Sequence, residues 1–236
     1  MQILIDKLKN IYGGKVLDVA TGRGSFIQYL TEGFKDFESI IAIDNIDETI
    51  LEQASKNFED KRIGFKRMDA SKMDFTNESF DTVCLSNSLH HLKDMDAVLS
   101  EMLRVLKPDG TLIINEMICD NQSPTQMTHV LMHHWWAKID TFTGKLHYET
   151  LPKQKILDIV KGMGINDFEV LEFADSDDPM DKESLESISK IIDEYIERAK
   201  PMKDYEAIKQ EGEEIRKRLF EIGFNGATQV ILIGKK

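Results

Sequence analysis

The sequence predicts an α/β protein built on a doubly wound, mostly parallel β-sheet with helices on both faces. Short runs rich in β-branched residues alternate with helical patterns from the beginning of the chain. Most of these runs are continuously apolar, which is typical of parallel strands buried on both faces. The five runs of the first half are KVLDVA, SIIAID, IGFKRMD, FDTVCLSN and GTLIINEM.

Helical patterns fill the intervals between these runs. The segments are SFIQYLTEGF, DETILEQASKNF, with Asp47 as a candidate N-cap, and DAVLSEMLRVLK. The last of them leads into a Pro-Asp-Gly turn before the fifth strand. Open sheets of this kind bind ligands beyond the carboxyl ends of their strands. The residues directly after each strand are therefore the candidates for a site.

The second half predicts further helices and two last strands within one domain that spans residues 1–236. QMTHVLMHHWWAKIDTF and PKQKILDIVKGMG are helical patterns, and a polar insertion contains two more helices. We divide the chain into a core and a set of additions. The core covers 1–117, the helical cap or insertion elements cover 118–150 and 175–224, and the final strands cover 166–174 and 226–235.

Composition excludes several classes of protein. The 236 residues carry a net charge of −12, which argues against nucleic acid as a partner because phosphate binding depends on clustered Lys and Arg. No stretch approaches the roughly 20 apolar residues of a membrane span. The N-terminal segment MQILIDKLKN lacks a signal-peptide pattern, and Cys84 and Cys119 form no CxxC motif. We expect a cytoplasmic protein without a membrane partner.

The stretch VLDVATGRGSF joins the first strand to the first predicted helix of the core. Gly22 and Gly24 allow the backbone to approach a ligand closely, and the helix start offers free N–H groups. The dinucleotide fingerprint requires a third glycine, where this chain has Ile27. The turn alone is compatible with a dinucleotide or with another cofactor that carries adenosine.

Asp18 favours the second of these cofactors. A carboxylate near the end of a central apolar strand is costly to bury unless it is paired. It either braces the turn or faces a cationic part of a ligand, such as an ammonium or sulfonium group. After the next strands, Asp44 is placed to accept ribose hydroxyls, Asp69 to accept from an adenine amino group, and Asn87 to bond cofactor or substrate.

The order of VLDVATGRG, IIAIDN, MDA, SFDTVCLSNSLHHL and VLKPDGTLII resembles the class I S-adenosylmethionine-dependent methyltransferases, over about residues 13–117. The resemblance implies a Rossmann-like sheet of seven strands with an antiparallel last strand. It also implies a cofactor site whose residues are Asp18, Ala20, Gly22 and Gly24 at the methionine portion, Asp44 and Asn45 at the ribose, Asp69, Ala70 and Phe75 at the adenine, and Asn87 near the methyl group. Ala20 stands where the family usually has glycine, and it is acceptable there if its φ angle is negative.

All six histidines lie between His90 and His147, and they allow three interpretations. The region forms a packed cap helix, a substrate pocket with Trp135 and Trp136, or a metal site that uses His129 and His133. No HExxH motif or Cys partner supports a metal, so we predict none. His91 and His134 are the candidate catalytic bases, and His91 follows the fourth strand.

Taken together, the sequence predicts transfer of a methyl group from S-adenosylmethionine to a small-molecule acceptor by in-line displacement, which leaves S-adenosylhomocysteine. A regulator that binds S-adenosylmethionine without catalysis is the first alternative. A nicotinamide-dependent oxidoreductase is the second, and Asp18 and the missing glycine argue against it. The 175–224 helices are a candidate substrate lid or homodimer surface.

Overall fold

The computed structural model describes residues 1–165, 167–174 and 177–236. The strands in this part of the chain are β1 (Lys15–Val19), β2 (Ser39–Asp44), β3 (Ile63–Arg67), β4 (Phe80–Ser86), β5 (Leu106–Met117), β6 (Phe168–Phe173) and β7 (Gln229–Lys235). They form a seven-stranded sheet in the order β3-β2-β1-β4-β5-β7-β6. The predicted fold class is therefore confirmed. Of the two predicted final strands, 166–174 includes Asn166, which lies outside the described residues.

Strands β1 to β5 pair in parallel. The last strand, β7, runs in the opposite direction. Lys236, directly after β7, donates its backbone N–H to Gly110 in the first half of β5 and accepts from Asp109. Ile118, directly after β5, donates to Thr228, directly before β7. Opposite ends of the two strands therefore meet, as the resemblance implied.

The start of β5 differs from the predicted Pro-Asp-Gly turn. Residues 106–110 continue the strand instead, because Leu106 pairs with Phe80 across from β4. The register shifts between Phe80 and Thr82, and Asp109 takes a φ of 59°. The extra residues form an irregularity within the strand rather than a separate turn.

The helices of the described chain are α1 (Gln2–Leu8), α2 (Ser25–Gly33), α3 (Glu48–Ser55), α4 (Met95–Val105), α5 (Pro124–Phe142), α6 (Lys153–Gly162), α7 (Lys182–Ala199) and α8 (Tyr205–Ile222). Asp47 caps α3 as predicted, by accepting the N–H of Thr49 at 2.9 Å. No periodic pattern marks α1 in the sequence, because its seven residues are too few to show one.

The described chain divides into two compact units. The first contains Met1–Glu116, Gln154–Phe173 and Val230–Lys236, and the second contains Met117–Lys153 and Ala174–Gln229. Asp175, the predicted start of the insertion, lies outside the described residues. The assignment of both units to one domain stays a prediction.

The core of the first unit lies between the sheet and helices α1 and α2. It consists of buried side chains from these helices and from five strands, among them Leu4, Leu8, Phe26, Leu30, Val16, Ile40, Cys84, Ile113 and Ile231. Cys84 is fully buried, as expected for a small apolar side chain. The polar loops after the strands remain available for a site.

The second unit is built around α5, α7 and α8. Helix α5 begins with a capping box formed by Ser123 and Gln126, and all three helices contribute to one apolar core. Trp135 at the centre is fully buried and donates its indole N–H to the carbonyl of Ile208 at 2.9 Å. A Cβ at Gly212 of α8 would lie 2.6 Å from the Trp135 ring, so glycine permits the close approach of the helices. Within the described residues, no helix is both long and apolar enough to cross a bilayer.

Candidate functional site

The turn between β1 and α2 takes the conformation that its glycines allow. Gly22 has a φ of 55° and Gly24 a φ of 79°, and Gly24 is the N-cap of α2. A Cβ at Gly24 would lie 3.0 Å from the Phe65 ring, whereas a Cβ at Gly22 would meet no atom within 4 Å. Gly24 therefore permits close packing, and Gly22 leaves an open surface at the carboxyl end of β1.

Ala20 does not meet the condition set for it from the sequence. Its φ is 55°, not negative. Alanine in this left-handed region is strained by about 1–2 kcal/mol because its Cβ approaches the following carbonyl. Ala20 therefore has the positive φ that glycine adopts without strain, and the alanine side chain lowers the stability of the turn.

Asp18 is almost completely buried at the end of β1, with 1% of its surface exposed. Neither carboxylate oxygen has a hydrogen-bond partner of good geometry within the described residues. Burial raises the pKa of Asp18 from 3.8 to about 7, the nearby Thr21 hydroxyl opposes this increase, and the negative charge of Asp44 adds to it. A buried carboxylate without a partner is the chemistry expected beside a ligand cation.

Asp44, at the end of β2, holds the glycine turn in place. Its Oδ2 accepts the N–H of Gly22 at 2.7 Å, and its Oδ1 accepts the N–H of Ile46 at 3.1 Å. Each carboxylate oxygen has a second lone pair, so a ribose hydroxyl can be accepted as well. Asn45, which follows, is exposed.

Asp69 and Ala70 follow β3. Asp69 is exposed, and its Oδ1 accepts both the N–H of Ser71 at 2.9 Å and the Ser71 hydroxyl at 2.7 Å. These bonds lower the pKa of Asp69 and make it a turn cap. The ring of Phe75 packs edge-on against Phe80, the first residue of β4, at 4.9 Å, and Nζ of Lys66 in β3 lies 5.7 Å from its centroid. The structure thus brings the candidates after β1, β2, β3 and β4 to one edge of the sheet, and the assignment of Phe75 to the adenine stays a prediction.

The loop after β4 is held by Glu116, which no motif in the sequence marks as a site residue. Glu116 in β5 is 1% exposed, and its Oε2 accepts the N–H groups of Ser88 at 3.0 Å and Leu89 at 2.8 Å. Its Oε1 lies 2.8 Å from Nδ1 of His90. The Ser88 hydroxyl also lies 3.3 Å from the carbonyl oxygen of Ala20. Glu116 therefore holds the β4 loop against the glycine turn.

The candidates Asn87 and His91 lie in this loop. Asn87 is exposed, takes a φ of 46° and donates its backbone N–H to Asn115 at 2.8 Å. His91 is exposed on a short 3-10 turn, and its ring centroid is 4.3 Å from that of His90. Both lie in the loop that follows the carboxyl end of β4.

The other candidate base, His134, belongs to the second unit. It lies on α5, and its Nε2 is 2.9 Å from the Thr150 hydroxyl and accepts the Thr150 N–H at 3.2 Å. Because a backbone N–H donates to Nε2, this nitrogen is the acceptor and the ring proton is on Nδ1. The nitrogen that a base would use is thus already engaged with Thr150.

The remaining histidines of α5 are arranged differently from the spacing in the sequence. His129 Nδ1 accepts the N–H of Ala227 at 2.9 Å, and burial lowers the pKa of His129 to about 4. Its ring centroid is 6.1 Å from that of His133. His133 instead approaches His147, whose Nε2 lies 3.4 Å from its own Nε2. His133 therefore lies close to His147 rather than to His129, which precedes it by four residues.

The two tryptophans also differ from each other. Trp135 is a core residue of the helical unit, as the packed-helix interpretation predicted. Trp136 is half-buried and stacks on Tyr195 with ring centroids 5.2 Å apart. Only Trp136 has a surface with which to line a pocket.

Comparison with known proteins finds similarity to methyltransferases. Residues 17–114 match a family model described as a methyltransferase domain. Over 124 residues the chain is 32% identical to the demethylmenaquinone methyltransferase of Bacteroides fragilis, covering 51% of this chain and 50% of that protein. Over 129 residues it is 34% identical to the mitochondrial ubiquinone biosynthesis O-methyltransferase of Bos taurus, covering 52% and 32%. The chain thus spans about half or less of these relatives' length.

Two solved structures share the fold over the whole chain. The YcgJ protein of Bacillus subtilis has a TM-score of 0.65 at 17% identity, covering 100% of this chain and 97% of that one. Phosphoethanolamine N-methyltransferase 2 of Haemonchus contortus, in complex with S-adenosyl-L-methionine, has a TM-score of 0.58 at 18% identity, covering 100% and 51%. Residues 17–114 therefore match a methyltransferase domain, and the whole chain shares its fold with these two solved structures.

Proposed function

We propose that the chain binds S-adenosylmethionine at the edge of the sheet where β1 to β4 end, and that it is a methyltransferase acting on a small molecule. The observation that carries this proposal is Asp18, a buried carboxylate without a hydrogen-bond partner among the described residues, beside an open glycine turn. A ligand with an ammonium group satisfies this carboxylate, and a nicotinamide dinucleotide offers no such group there.

The neighbouring residues fit the rest of such a cofactor. Asp44 retains lone pairs for the ribose hydroxyls while it holds Gly22. Asp69 keeps a second oxygen, Oδ2, for the adenine amino group, because Ser71 uses Oδ1. Ala70 offers a backbone N–H to the ring, and Asn87 at the end of β4 is assigned to the region of the methyl group.

The bound cofactor supplies an activated methyl group, so the protein has to align the acceptor and exclude water. Glu116 contributes by fixing the β4 loop, which carries Asn87 and His91. His91 is the better placed of the two candidate bases, because it follows β4 and is exposed, whereas His134 is engaged with Thr150. A base is required only where the acceptor must lose a proton.

The acceptor class rests on charge and on the relatives. A net charge of −12 disfavours nucleic acid. The relatives named above are called demethylmenaquinone and ubiquinone biosynthesis methyltransferases. Reduced naphthoquinones and phenols are therefore the first acceptors to test. A cytoplasmic location, and a homodimer formed through the 175–224 helices, stay predictions that fractionation and sedimentation would check.

Calorimetric titration tests the cofactor assignment. We expect micromolar binding of S-adenosylmethionine and S-adenosylhomocysteine and no binding of NADH. Asp44→Ala is expected to weaken the binding by about 2–4 kcal/mol, because charge-assisted hydrogen bonds are lost. Glu52→Ala, which removes an exposed carboxylate on α3, is the matched control and should bind as the wild type does. Binding of NADH alone would contradict the proposal.

Transfer of a labelled methyl group tests catalysis. Label appearing in a small-molecule acceptor supports the enzyme. Tight binding of S-adenosylmethionine without transfer to any acceptor in the screen would favour the non-catalytic regulator instead.

A further inference from the structure

A cluster of polar side chains in the second unit takes no part in the proposed function. We call it the His133–His147 cluster, and it contains His133 and Asp140 on α5 and His147 in the loop that follows. His147 is 7% exposed, and its Nδ1 lies 2.8 Å from Oδ2 of Asp140. Its other ring nitrogen, Nε2, lies 3.4 Å from Nε2 of His133.

Two further hydrogen bonds hold Asp140 in place. Arg198 on α7 donates to its Oδ1, and the Tyr195 hydroxyl donates to its Oδ2 at 3.3 Å. Because this carboxylate accepts hydrogen bonds and Arg198 pairs with it, Nδ1 of His147 is the donor, and the lone pair of its Nε2 points toward His133.

The separation of the two Nε2 atoms is informative. A separation of 3.4 Å is longer than the roughly 2.7–3.2 Å of a normal N–H hydrogen bond. Two imidazole ligands that each lie about 2.0–2.1 Å from a tetrahedral Zn²⁺ have nitrogens about 3.3–3.4 Å apart. The two rings are nearly perpendicular, at 82°. The pair therefore has the spacing of two ligands of one ion.

The partner of His147 supports the same interpretation. Histidines that bind metals almost always donate their other ring N–H to a carboxylate or carbonyl, which fixes the tautomer and ring orientation. Asp140 provides such a carboxylate at 2.8 Å, and Arg198 and Tyr195 hold it in turn. His129, the metal ligand suggested by sequence spacing, does not fit this pattern. Its Nδ1 accepts the N–H of Ala227, so the proton of the neutral ring is on Nε2 and that nitrogen has no lone pair for a metal.

We propose that His133 and His147 bind one divalent transition-metal ion through their Nε2 atoms, with Asp140 as the residue that orients His147. Imidazole ligands suit Zn²⁺, Fe²⁺, Co²⁺ and Ni²⁺. Two histidine ligands leave coordination positions for water or for an oxygen of a bound molecule. The sequence alone predicted no metal, because the ligand pair is separated by 14 residues and has no motif spacing. This site does not depend on methyl transfer.

Metal titration of the full chain tests the site. Protein freed of metal with a chelator is titrated with Co²⁺ and with Zn²⁺, and binding is followed by visible absorption and by calorimetry. We expect one ion per chain. His133→Gln and His147→Gln are each expected to weaken binding at least about tenfold, and Asp140→Asn by about 10–100-fold. His134→Gln, one residue from His133 on α5, is the matched control and should bind as the wild type does.

Because His147 is buried, its replacement could disturb the helical unit. Circular dichroism checks the fold of each variant, and the half-buried His133 provides a second, milder test. In addition, histidine ¹⁵N spectra of the wild type should show Zn²⁺ shifting Nε2 of both residues while Nδ1 of His147 stays protonated.

Three results would overturn the proposal: no binding by the wild type at micromolar metal, binding that is unchanged in both His133→Gln and His147→Gln, or histidine spectra that do not respond to Zn²⁺. S-adenosylmethionine titration of the same preparations shows separately whether the cofactor assignment holds.

Discussion

The affinity of this protein for S-adenosylmethionine should depend on pH through Asp18. Burial raises the pKa of Asp18 to about 7, and the carboxylate has to be ionised to accept the ammonium group of the cofactor. At lower pH, binding must first remove a proton from Asp18. Each pH unit below the pKa then weakens binding about tenfold, or by about 1.36 kcal/mol.

The structure allows the size of this effect to be calculated. With a pKa of about 7, the ionised fraction rises from about 3% at pH 5.5 to about 76% at pH 7.5, so affinity should rise about 25-fold. Calorimetric titration across this range measures the effect. Asp18→Asn should bind weakly and show no such dependence. For 5′-methylthioadenosine, which lacks the amino acid portion, the wild type should show none either.

The same group should affect stability without ligand. The pKa of Asp18 is raised in the folded state, so the stabilisation from its neutral form is fully present below about pH 3.8 and is lost as pH rises to about 7. Urea unfolding of the wild type should show this decrease, and Asp18→Asn should not. A wild-type affinity that is flat with pH, or a slope that survives in Asp18→Asn, would refute the reasoning.

Three further substitutions test packing and strain by urea unfolding. Glu116→Ala removes the acceptor of the buried N–H groups of Ser88 and Leu89 and should lower the free energy of unfolding by about 3–5 kcal/mol, whereas Glu116→Gln should lower it by about 1–2 kcal/mol. Equal effects of the two substitutions would contradict the role of the charge. Ala20→Gly should raise the free energy of unfolding by about 0.5–1 kcal/mol, because glycine adopts the positive φ without strain. A lower free energy of unfolding in this variant would contradict the assignment of strain to Ala20. Gly212→Ala should lower the free energy of unfolding by about 1–3 kcal/mol, because the added Cβ would clash with Trp135. As a control, Gly162→Ala should raise it by up to about 1 kcal/mol, because a Cβ at Gly162 meets no atom within 4 Å. Similar effects of the two substitutions would contradict the packing argument.

The sheet and its edge could be predicted because the relevant signals are local. An apolar strand that ends in Asp18 or Asp44 is visible in one short window of sequence. Parallel strands then bring such endings together without further information. Chain order alone does not fix the position of Phe75. Its ring contacts Phe80 at the beginning of β4, so its assignment to the adenine stays a prediction.

Residues that act through distant partners could not be found in this way. Glu116 reads as one charged residue near the end of a strand, and its partners lie 26 to 28 residues earlier in the chain. The φ of Ala20 is likewise set by the path of the turn rather than by the residue itself. The contact between His147 and His133 could not be predicted from the sequence either, because it depends on the path of the loop after α5.

The bonds made by Glu116 and Ser88 also affect the entropy of ligand binding. The Ser88 hydroxyl lies 2.8 Å from the Ser86 carbonyl and 3.3 Å from the Ala20 carbonyl, so the loops after β1 and β4 are ordered together. Their loss of backbone freedom occurs when the chain folds, not when a ligand arrives. A ligand therefore meets a preorganised surface, and desolvation rather than loop ordering should limit its affinity.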